Sequence, residues 1–205
     1  MKKNKFSKNW VIKNNRDPYY KASKAQGYRS RSAFKLIEIN DKFKFIENNS
    51  NLLDLGSSPG GWSQVASKKI KNGKILAVDI IEMKNIKNVD FIKGDFKDEK
   101  IQKKIKLYFD KAVDIIVSDM AVNTTGNKSL DSYRTGQISI EAMLLASKIL
   151  SNNGVFLTKI FMGSIFKEIK ERSSKIFKNI VIYKPLSSKK KSKEIYIFCK
   201  GILKV

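Results

Sequence analysis

The chain contains no histidine and a single cysteine, and these two shortages exclude several kinds of site. Without histidine, neither a plausible zinc site nor the usual general base is available, so we expect no metal. Cys199 has no second thiol with which to form an intramolecular disulfide. It lies in an apolar strand pattern, so we expect it to be a small buried hydrophobic residue.

Long apolar runs are also missing. No stretch reaches the roughly 18 residues that a membrane-spanning helix needs, and the charged N-terminus has no apolar segment resembling a signal peptide behind it. We therefore expect a cytoplasmic protein without membrane contact. With 205 residues and 41% hydrophobic content, the chain fits a single domain over residues 16–205, preceded by a flexible basic tail over residues 1–15.

Acidic residues are scarce: 19 Asp and Glu stand against 42 Lys and Arg, which gives a net charge of +23. A surface of this charge attracts polyanions, so nucleic acid is the first candidate partner, and self-repulsion favours a monomer. Lysine is abundant together with Asn and Ile, as in chains from AT-rich genomes. That bias explains why lysine outnumbers arginine, but it does not explain the shortage of acidic residues. Because arginine grips phosphate bidentately, we expect RNA contact from Arg16 onward, through Arg29 and Arg31.

Hydrophobic periodicity predicts an α/β fold. An amphipathic helix is expected over residues 30–43, capped by Ser30 or Ser32. Strands are predicted at residues 51–56, 74–80, 89–94, 113–119, 154–161, 179–185 and 194–200, and helices at 61–71, 98–109, 136–151 and 163–177.

Helices between strands imply right-handed crossovers and a mainly parallel sheet that binds its ligand at the carboxyl ends of the strands. Only residues 186–193 separate the last two strands. That connection is too short for a crossover, so the last strand should run antiparallel and begin at the edge where the parallel strands end. This connection then lies on the ligand side of the sheet and contains Lys189, Lys190 and Lys191. The sequence is equally consistent with lysines that contact a substrate backbone and with lysines that are only solvated.

A glycine-rich turn joins the first predicted strand of the sheet to the helix that follows, at residues 54–62. Its pattern is G-x-x-x-G-G, and Ser58 occupies the position at which dinucleotide folds need a glycine for the pyrophosphate. NAD is therefore disfavoured. A sharp turn with exposed backbone groups suits a compact zwitterion such as the methionine part of S-adenosylmethionine, although a plain turn without a ligand is an equal interpretation of the loop alone.

Acidic side chains end the next two predicted strands. Asp79 stands where nucleotide-binding α/β folds place an acid that accepts hydrogen bonds from ribose hydroxyls. Asp95 comes next along the same edge, where it could bind an adenine amino group. Together with the glycine loop, these residues point to a nucleoside.

Four further charged residues converge on the same edge. Asp119 follows the buried run Ile115 to Val117, and Lys159 interrupts another apolar strand. A buried charge must reach the rim or find an opposite charge. Glu194 begins the last strand and Lys35 lies on the amphipathic helix. Taken singly, each of the four could equally form a surface salt bridge.

A resemblance to a known protein family connects these residues to one site. Six blocks match, in order and over nearly the whole chain, the FtsJ/RrmJ (RlmE) family of RNA ribose 2'-O-methyltransferases, which the sequence closely resembles. The blocks are residues 29–36, 54–64, 94–96, 118–121, 158–161 and 192–196.

The resemblance implies a Rossmann-like class I methyltransferase with a seven-stranded, mainly parallel sheet and an antiparallel last strand. The family's catalytic tetrad falls on Lys35, Asp119, Lys159 and Glu194. Its S-adenosylmethionine contacts fall on Gly60, Trp62, Asp79, Asp95 and Asp119. One departure is Val122, where bacterial members usually carry proline, and it bears on loop rigidity and substrate fit.

The implied substrate is a uridine in the A-loop of large-subunit ribosomal RNA, modified within the assembled subunit. A tRNA or mRNA-cap target stays open, because the tetrad contacts only ribose; the short chain favours rRNA. A non-catalytic RNA-binding assembly factor is a second alternative, against which the complete tetrad and the glycine loop argue. A nicotinamide-dependent oxidoreductase is a third, which Ser58 and the positive charge disfavour.

Overall fold

The computed structural model describes residues 17–122 and 125–203 as one seven-stranded sheet with helices on both faces. The predicted tail over residues 1–15, Arg16, Asn123 and Thr124 lie outside the described residues. Within the described ranges, no helix is long and apolar enough to cross a membrane.

Helices and strands mostly alternate along the chain. The helices are α1 Pro18–Ala25, α2 Ala33–Phe43, α3 Gly61–Lys69, α4 Glu99–Phe109, α5 Lys128–Ile149 and α6 Phe166–Ile176. The strands are β1 Leu52–Leu55, β2 Ile75–Asp79, β3 Asp90–Lys93, β4 Val113–Ser118, β5 Leu150–Phe161, β6 Phe177–Tyr183 and β7 Glu194–Ile202.

The strand order is β3-β2-β1-β4-β5-β7-β6. The first five strands pair in parallel, so their carboxyl ends share one edge. Strand β7 runs antiparallel to both β5 and β6. The predicted α/β class, the seven strands and the antiparallel last strand are thus confirmed.

Each face of the sheet buries its own hydrophobic cluster, because side chains alternate across a strand. On β4, Ile116 packs into the cluster formed with α4, α5 and α6. Its neighbours Ile115 and Val117 belong to the opposite cluster, formed with α2 and α3. Strands buried on both faces explain the nearly continuous apolar runs in the sequence. Cys199 is fully buried in the first of these clusters, as expected.

The helices differ from the sequence prediction at several points. Helix α1 was missed: Asp17 caps it by accepting hydrogen bonds from the N–H groups of Tyr19 and Tyr20, and Pro18 occupies its first turn. Helix α5 begins at Lys128 rather than at residue 136. Its first turns are polar and carry no apolar stripe, so the start depends on the Asn127 cap, which periodicity does not reveal.

Helix α2 begins later than predicted, at Ala33. Ser32 is its N-cap residue but makes no side-chain capping bond. Its hydroxyl instead pairs with that of Ser30 at 2.6 Å.

Glu38 ties α2 to the loop at residues 184–193 between β6 and β7, which we call the β6–β7 loop. Its carboxylate accepts hydrogen bonds from the backbone N–H groups of Leu186 and Ser187 at 2.6 and 3.0 Å. It also accepts from the hydroxyls of Tyr183 and Ser187. Burial alone would raise the pKa of Glu38, but these hydrogen bonds outweigh it and hold the pKa below its ordinary value.

We expect Glu38→Ala to lower the free energy of unfolding by about 2 kcal/mol at pH 7, because the variant leaves the loop amides without an acceptor. A carboxylate with a depressed pKa stabilises the folded state above its unfolded pKa, and this contribution disappears as pH falls through the folded pKa. The difference between variant and wild type should therefore shrink from pH 7 to pH 3. Urea unfolding at both values measures it.

Glu141→Ala is the matched control, because Glu141 is exposed on α5. That substitution should change the free energy of unfolding by less than about 0.5 kcal/mol. If the Glu38→Ala protein is as stable as this control at pH 7, Glu38 does not hold the loop.

Candidate active site

The charged residues predicted for the site meet where β4 and β5 end and β7 begins. Asp119 follows directly after β4, and Lys159 lies near the end of β5. The antiparallel register places Glu194 opposite Phe161. The hairpin topology predicted from the short connection therefore brings Glu194 to the carboxyl edge of the parallel strands.

Lys35, Asp119, Lys159 and Glu194 form one chain of alternating charges. The Lys159 ammonium lies 3.1 Å from Asp119 Oδ1 and donates a hydrogen bond to the Asp119 carbonyl oxygen at 2.6 Å. Lys35 Nζ lies 2.8 Å from Glu194 Oε1 and 3.9 Å from Asp119 Oδ1. Lys35, Lys159 and Glu194 are each at most 9% exposed, so these opposite charges compensate one another inside the protein.

Tyr196 completes the cluster, and the sequence analysis did not single it out. Its ring is fully buried, and its hydroxyl donates to Asp119 Oδ1 at 2.7 Å. Burial, then the negative charges of Asp119 and Glu194, hold the pKa of Tyr196 well above its usual value, so the hydroxyl stays a donor. A signal was present in the sequence. Residues two apart on a strand share a face, so a site that contains Glu194 should also contain Tyr196.

Asp119 remains ionised despite its burial. Burial alone would raise the pKa of Asp119. The ammonium of Lys159, then that of Lys35, and the hydrogen bonds from Tyr196 and Lys159 outweigh that effect and hold the pKa below its ordinary value. The site thus presents a fixed carboxylate at the end of β4.

Helix α2 delivers Lys35 from outside the sheet. It is held against α3 by the indole N–H of Trp62, which donates to the Ser32 carbonyl at 2.9 Å. The far end of the cluster is fixed by the Ser188 hydroxyl, which donates to Glu194 Oε1 at 2.8 Å. Lys35 and Glu194 are therefore positioned with the help of neutral hydrogen-bond donors.

The glycine loop between β1 and α3 packs too closely for larger side chains. Gly56 has φ +71°, and a Cβ there would lie 2.0 Å from Met120 Cγ. A Cβ on Gly61 would lie 2.2 Å from Ser30 Oγ. These glycines let the loop lie against the residue that follows Asp119 and against the segment before α2.

Two adjoining cavities open beside this loop. The larger, about 570 Å³, is lined by residues that follow β1, β2, β3 and β4, and Lys159 lies on its wall. The smaller, about 40 Å³, lies over the loop and α3 and includes Trp62 and Asp54. Gly56, Ser58 and Asp119 line both, so the two cavities are continuous.

Asp79 and Asp95 both line the larger cavity. The Asp79 carboxylate accepts hydrogen bonds from the Ser58 and Ile81 N–H groups, at 2.8 and 2.7 Å. Asp95 accepts from the Lys97 N–H at 3.0 Å. A carboxylate oxygen has two lone-pair sites, so both residues keep acceptor capacity toward the cavity.

Gly60 lies elsewhere. It caps α3 with φ +109°, lines neither cavity, and a Cβ there would face Ile86, Arg29 and Met83. A cofactor contact at Gly60 stays a prediction, whereas Trp62 lines the smaller cavity.

Asp54 is a second residue that the sequence analysis did not treat as functional. It lies under the loop, is 1% exposed and accepts a hydrogen bond from the Ser63 hydroxyl at 2.6 Å. Burial, and further the charges of Asp119 and Asp79, raise the pKa of Asp54 to about 7 against the opposing effect of Ser63. Near neutral pH this group exchanges a proton readily.

The expectation that Arg29 and Arg31 grip RNA phosphates is not supported by their contacts. Arg29 donates to the carbonyl oxygens of Pro59, Lys84 and Asn85. Arg31 pairs with Asp17 and donates to the carbonyl of Ser187 in the β6–β7 loop. Both guanidinium groups hold loops around the site, because the carbonyls at these turns need donors.

No group of three or more potential metal ligands occurs among residues 17–122 and 125–203. The charged cluster at the strand ends contains two ammonium groups, which are not ligands for a cation.

Comparisons with known proteins identify the family. The family model for FtsJ-like methyltransferases matches residues 28–202. A Pelagibacter ubique protein named ribosomal RNA large subunit methyltransferase E is 50% identical over 200 residues, which cover 98% of each chain. A Legionella pneumophila protein of the same name is 41% identical, also over 98% of each chain.

Solved structures agree. A ribosomal RNA methyltransferase from Plasmodium falciparum superposes with a TM-score of 0.76 at 33% identity, over 86% of this chain and 99% of that one. A Streptococcus mutans methyltransferase in complex with SAH, at 16% identity and a TM-score of 0.54 over 80% of this chain and 96% of that one, shares the fold. The chain belongs to the family of FtsJ-like methyltransferases.

Proposed function

We propose that the protein uses S-adenosylmethionine to methylate the ribose 2'-hydroxyl of a uridine in large-subunit ribosomal RNA, in the A-loop of the assembled subunit. The observation that carries the proposal is the buried cluster of Lys35, Asp119, Lys159 and Glu194. Asp119 and Lys159 of this cluster line the cavity beside the glycine loop. Such a cluster suits a neutral hydroxyl that must be aligned and relieved of its proton.

The residues around the cavities fit this cofactor. The larger cavity, at about 570 Å³, lies within the range of small-molecule sites. Asp79 and Asp95 offer acceptors to ribose and adenine groups, and Asp54 and Asp119 offer carboxylates to an ammonium group. The hydroxyl of Ser57, which lines the smaller cavity, is buried without a partner among the described residues, which is costly unless a ligand contacts it.

When bound, S-adenosylmethionine would supply a methyl group on a sulfonium, whose carbon an oxygen nucleophile attacks in line while the C–S bond breaks and the neutral thioether leaves. The chain's task is therefore alignment. The Lys159 ammonium has three N–H groups, and Asp119 accounts for two contacts. A further N–H can donate to the 2'-oxygen and align it, with the hydroxyl proton passing to water as the new C–O bond forms; the contacts to Asp119 favour this role. Alternatively, the neutral amine of Lys159 takes that proton. Lys35 and Glu194 then hold the ribose from the opposite side.

The chemistry of the chain disfavours methylation of a pyrimidine carbon, which requires a thiolate nucleophile. Cys199 is the only cysteine and lies fully buried in β7. Burial raises the pKa of Cys199 to about 12, against a small opposing effect of Ser173, so no thiolate forms near neutral pH. Transfer of the methyl group to an oxygen atom needs no thiolate and therefore fits this chain better.

The assignment to large-subunit RNA is supported by the names of the relatives, which are ribosomal RNA large subunit methyltransferases. The net charge of +23 supports a polyanionic substrate. The A-loop uridine and the assembled subunit come from the family resemblance. A tRNA or cap target and a non-catalytic assembly role are the alternatives, and both are outcomes of the next experiment.

Loss of the protein should remove one 2'-O-methyl group from large-subunit rRNA. Mapping ribose methylation in RNA from cells with and without the gene, and restoring it by purified protein with labelled cofactor, checks this. Transfer to tRNA alone would redirect the substrate assignment. An unchanged map, with no label in any RNA, would establish a non-catalytic role.

Lys159→Met should lower kcat by at least about 100-fold, because the variant keeps the volume of the side chain but cannot position the hydroxyl or take its proton. Cofactor affinity, measured separately by calorimetry, should change less than about threefold, since the cofactor contacts assigned above lie on other residues. Lys200→Met, at an exposed position of β7, is the control and should retain wild-type turnover. Near-normal turnover in the Lys159→Met protein with intact cofactor binding would refute the role of Lys159.

Binding of S-adenosylhomocysteine should release close to one proton at pH 6, because an ammonium beside Asp54 favours the ionised form of a group whose pKa is about 7. Calorimetry in two buffers of different ionisation enthalpy measures the release. For the same reason affinity should rise between pH 6 and pH 7.5. In Asp54→Asn, which cannot ionise, the release and the pH dependence should both disappear; a proton release as large as that of wild type would contradict the assignment.

A further inference from the structure

A second large cavity lies beside the cofactor cavity, and none of the roles assigned above uses it. Its volume is about 500 Å³. It lies between the first turns of α5, the end of β5 and the β6–β7 loop. Val122, Phe161 and Met162 contribute apolar surface, whereas Asp131 and Thr135 contribute polar atoms from α5. A mainly apolar cavity with a few polar groups is the usual form of a site for a small ring.

The Thr135 hydroxyl is buried in the wall of this cavity without a hydrogen-bond partner in the described structure. The residue is 1% exposed. Leaving a buried hydroxyl unsatisfied destabilises a protein, so a ligand that offers a polar atom here would gain a hydrogen bond without displacing one of the protein's own. The hydroxyl can either donate or accept.

Asp131, one turn earlier on α5, supplies the complementary group. Its Oδ1 atom accepts hydrogen bonds from the Thr125 N–H and hydroxyl, both at 2.8 Å. These contacts fix the carboxylate in the wall and leave acceptor capacity on its second oxygen. The edge of a pyrimidine base carries N–H donors next to carbonyl or ring-nitrogen acceptors. A carboxylate can accept from the N–H groups, and a neighbouring hydroxyl can donate to the acceptors.

The cavity is placed for the nucleotide that reacts. Ala121 and Val122 line both this cavity and the cofactor cavity. Phe161 follows Lys159 by two residues on β5, which is a separation of about 7 Å. A ribose at Lys159 would therefore have its own base within reach of this cavity.

Positive charge surrounds the opening. Lys128, Lys191 and Lys193 line the cavity from α5 and the β6–β7 loop. Lysines there can contact the phosphates on either side of a nucleotide while its base enters. The mixed lining of one aromatic ring, apolar side chains, polar groups and lysines fits a nucleotide better than an apolar ligand.

We propose that this cavity receives the unstacked pyrimidine base of the nucleotide whose ribose is methylated, with Thr135 and Asp131 contacting its edge. The inference rests on the proposed function and adds a base-binding subsite to it. Enzymes that do chemistry on a base take that base out of the stack and hold it in a pocket. Here the same movement would give the site access to the ribose of the nucleotide. The cavity provides the place for that base.

Filling the cavity tests the proposal. Ser129 lines it and is exposed on the first turn of α5, so Ser129→Trp should fold and occupy the space. Ser147→Trp places the same ring near the far end of α5 and is the matched control. With large ribosomal subunits whose RNA lacks the modification, we expect kcat/KM to fall at least about 20-fold for Ser129→Trp and less than about twofold for Ser147→Trp, with cofactor affinity unchanged in both.

Thr135→Val tests the hydroxyl without changing the shape of the side chain. Because the hydroxyl has no partner in the described structure, the variant should be at least as stable to heat as wild type. Its kcat/KM for RNA should nevertheless fall about fivefold through the lost contact to the base. A variant that loses stability and keeps RNA activity would show that Thr135 has only a structural role.

An RNA oligonucleotide with an abasic site at the methylated nucleotide gives a readout independent of turnover. Wild type should bind it about tenfold more weakly than intact RNA, because the contacts to the base are lost, whereas the Ser129→Trp protein should bind the two RNAs equally.

The base-binding subsite is overturned if wild type methylates RNA while Ser129→Trp behaves like Ser147→Trp. It is also overturned if Ser129→Trp loses cofactor affinity instead. Absence of methyl transfer by wild type is a separate result, because it refutes the proposed function itself.

Discussion

The ion pair between Lys159 and Asp119 is the constraint on which the site depends. It joins the ends of β4 and β5, which are neighbours in the sheet, and Tyr196 of β7 donates to the same carboxylate. Three strands thus meet at one oxygen atom. A parallel sheet supplies the two strand ends at one edge, and the antiparallel β7 is what allows Tyr196 and Glu194 to enter from the other direction.

Charge balance explains why the cluster can be buried. Two ammonium groups alternate with two carboxylates, so the chain of charges carries no net charge although each member is costly to bury alone. The protein as a whole carries +23. Long-range attraction for a polyanion and short-range control of the reacting groups are therefore separate: the surface supplies the first, and a neutral buried cluster supplies the second.

Much of this arrangement could be predicted from the sequence, for identifiable reasons. The short connection before β7 determines that Glu194 lies beside the end of β5, and Lys159 in an apolar strand requires a partner. The roles of Arg29 and Arg31 could not be predicted, because a guanidinium that binds carbonyls of distant loops has the same local sequence as one that binds phosphate. The raised pKa of Asp54 likewise depends on burial and on charges from other strands.

The glycine loop connects two parts of the site more tightly than its sequence indicates. Gly56 is needed not for a pyrophosphate but for its contact with Met120, the residue directly after Asp119. Ser58, where a dinucleotide fold needs glycine, instead donates its N–H to Asp79. The loop is thus fixed to β2 on one side and packed against the segment after β4 on the other. Because interiors transmit displacement rather than absorb it, a shift of this loop would move both Asp79 and the segment that carries Asp119.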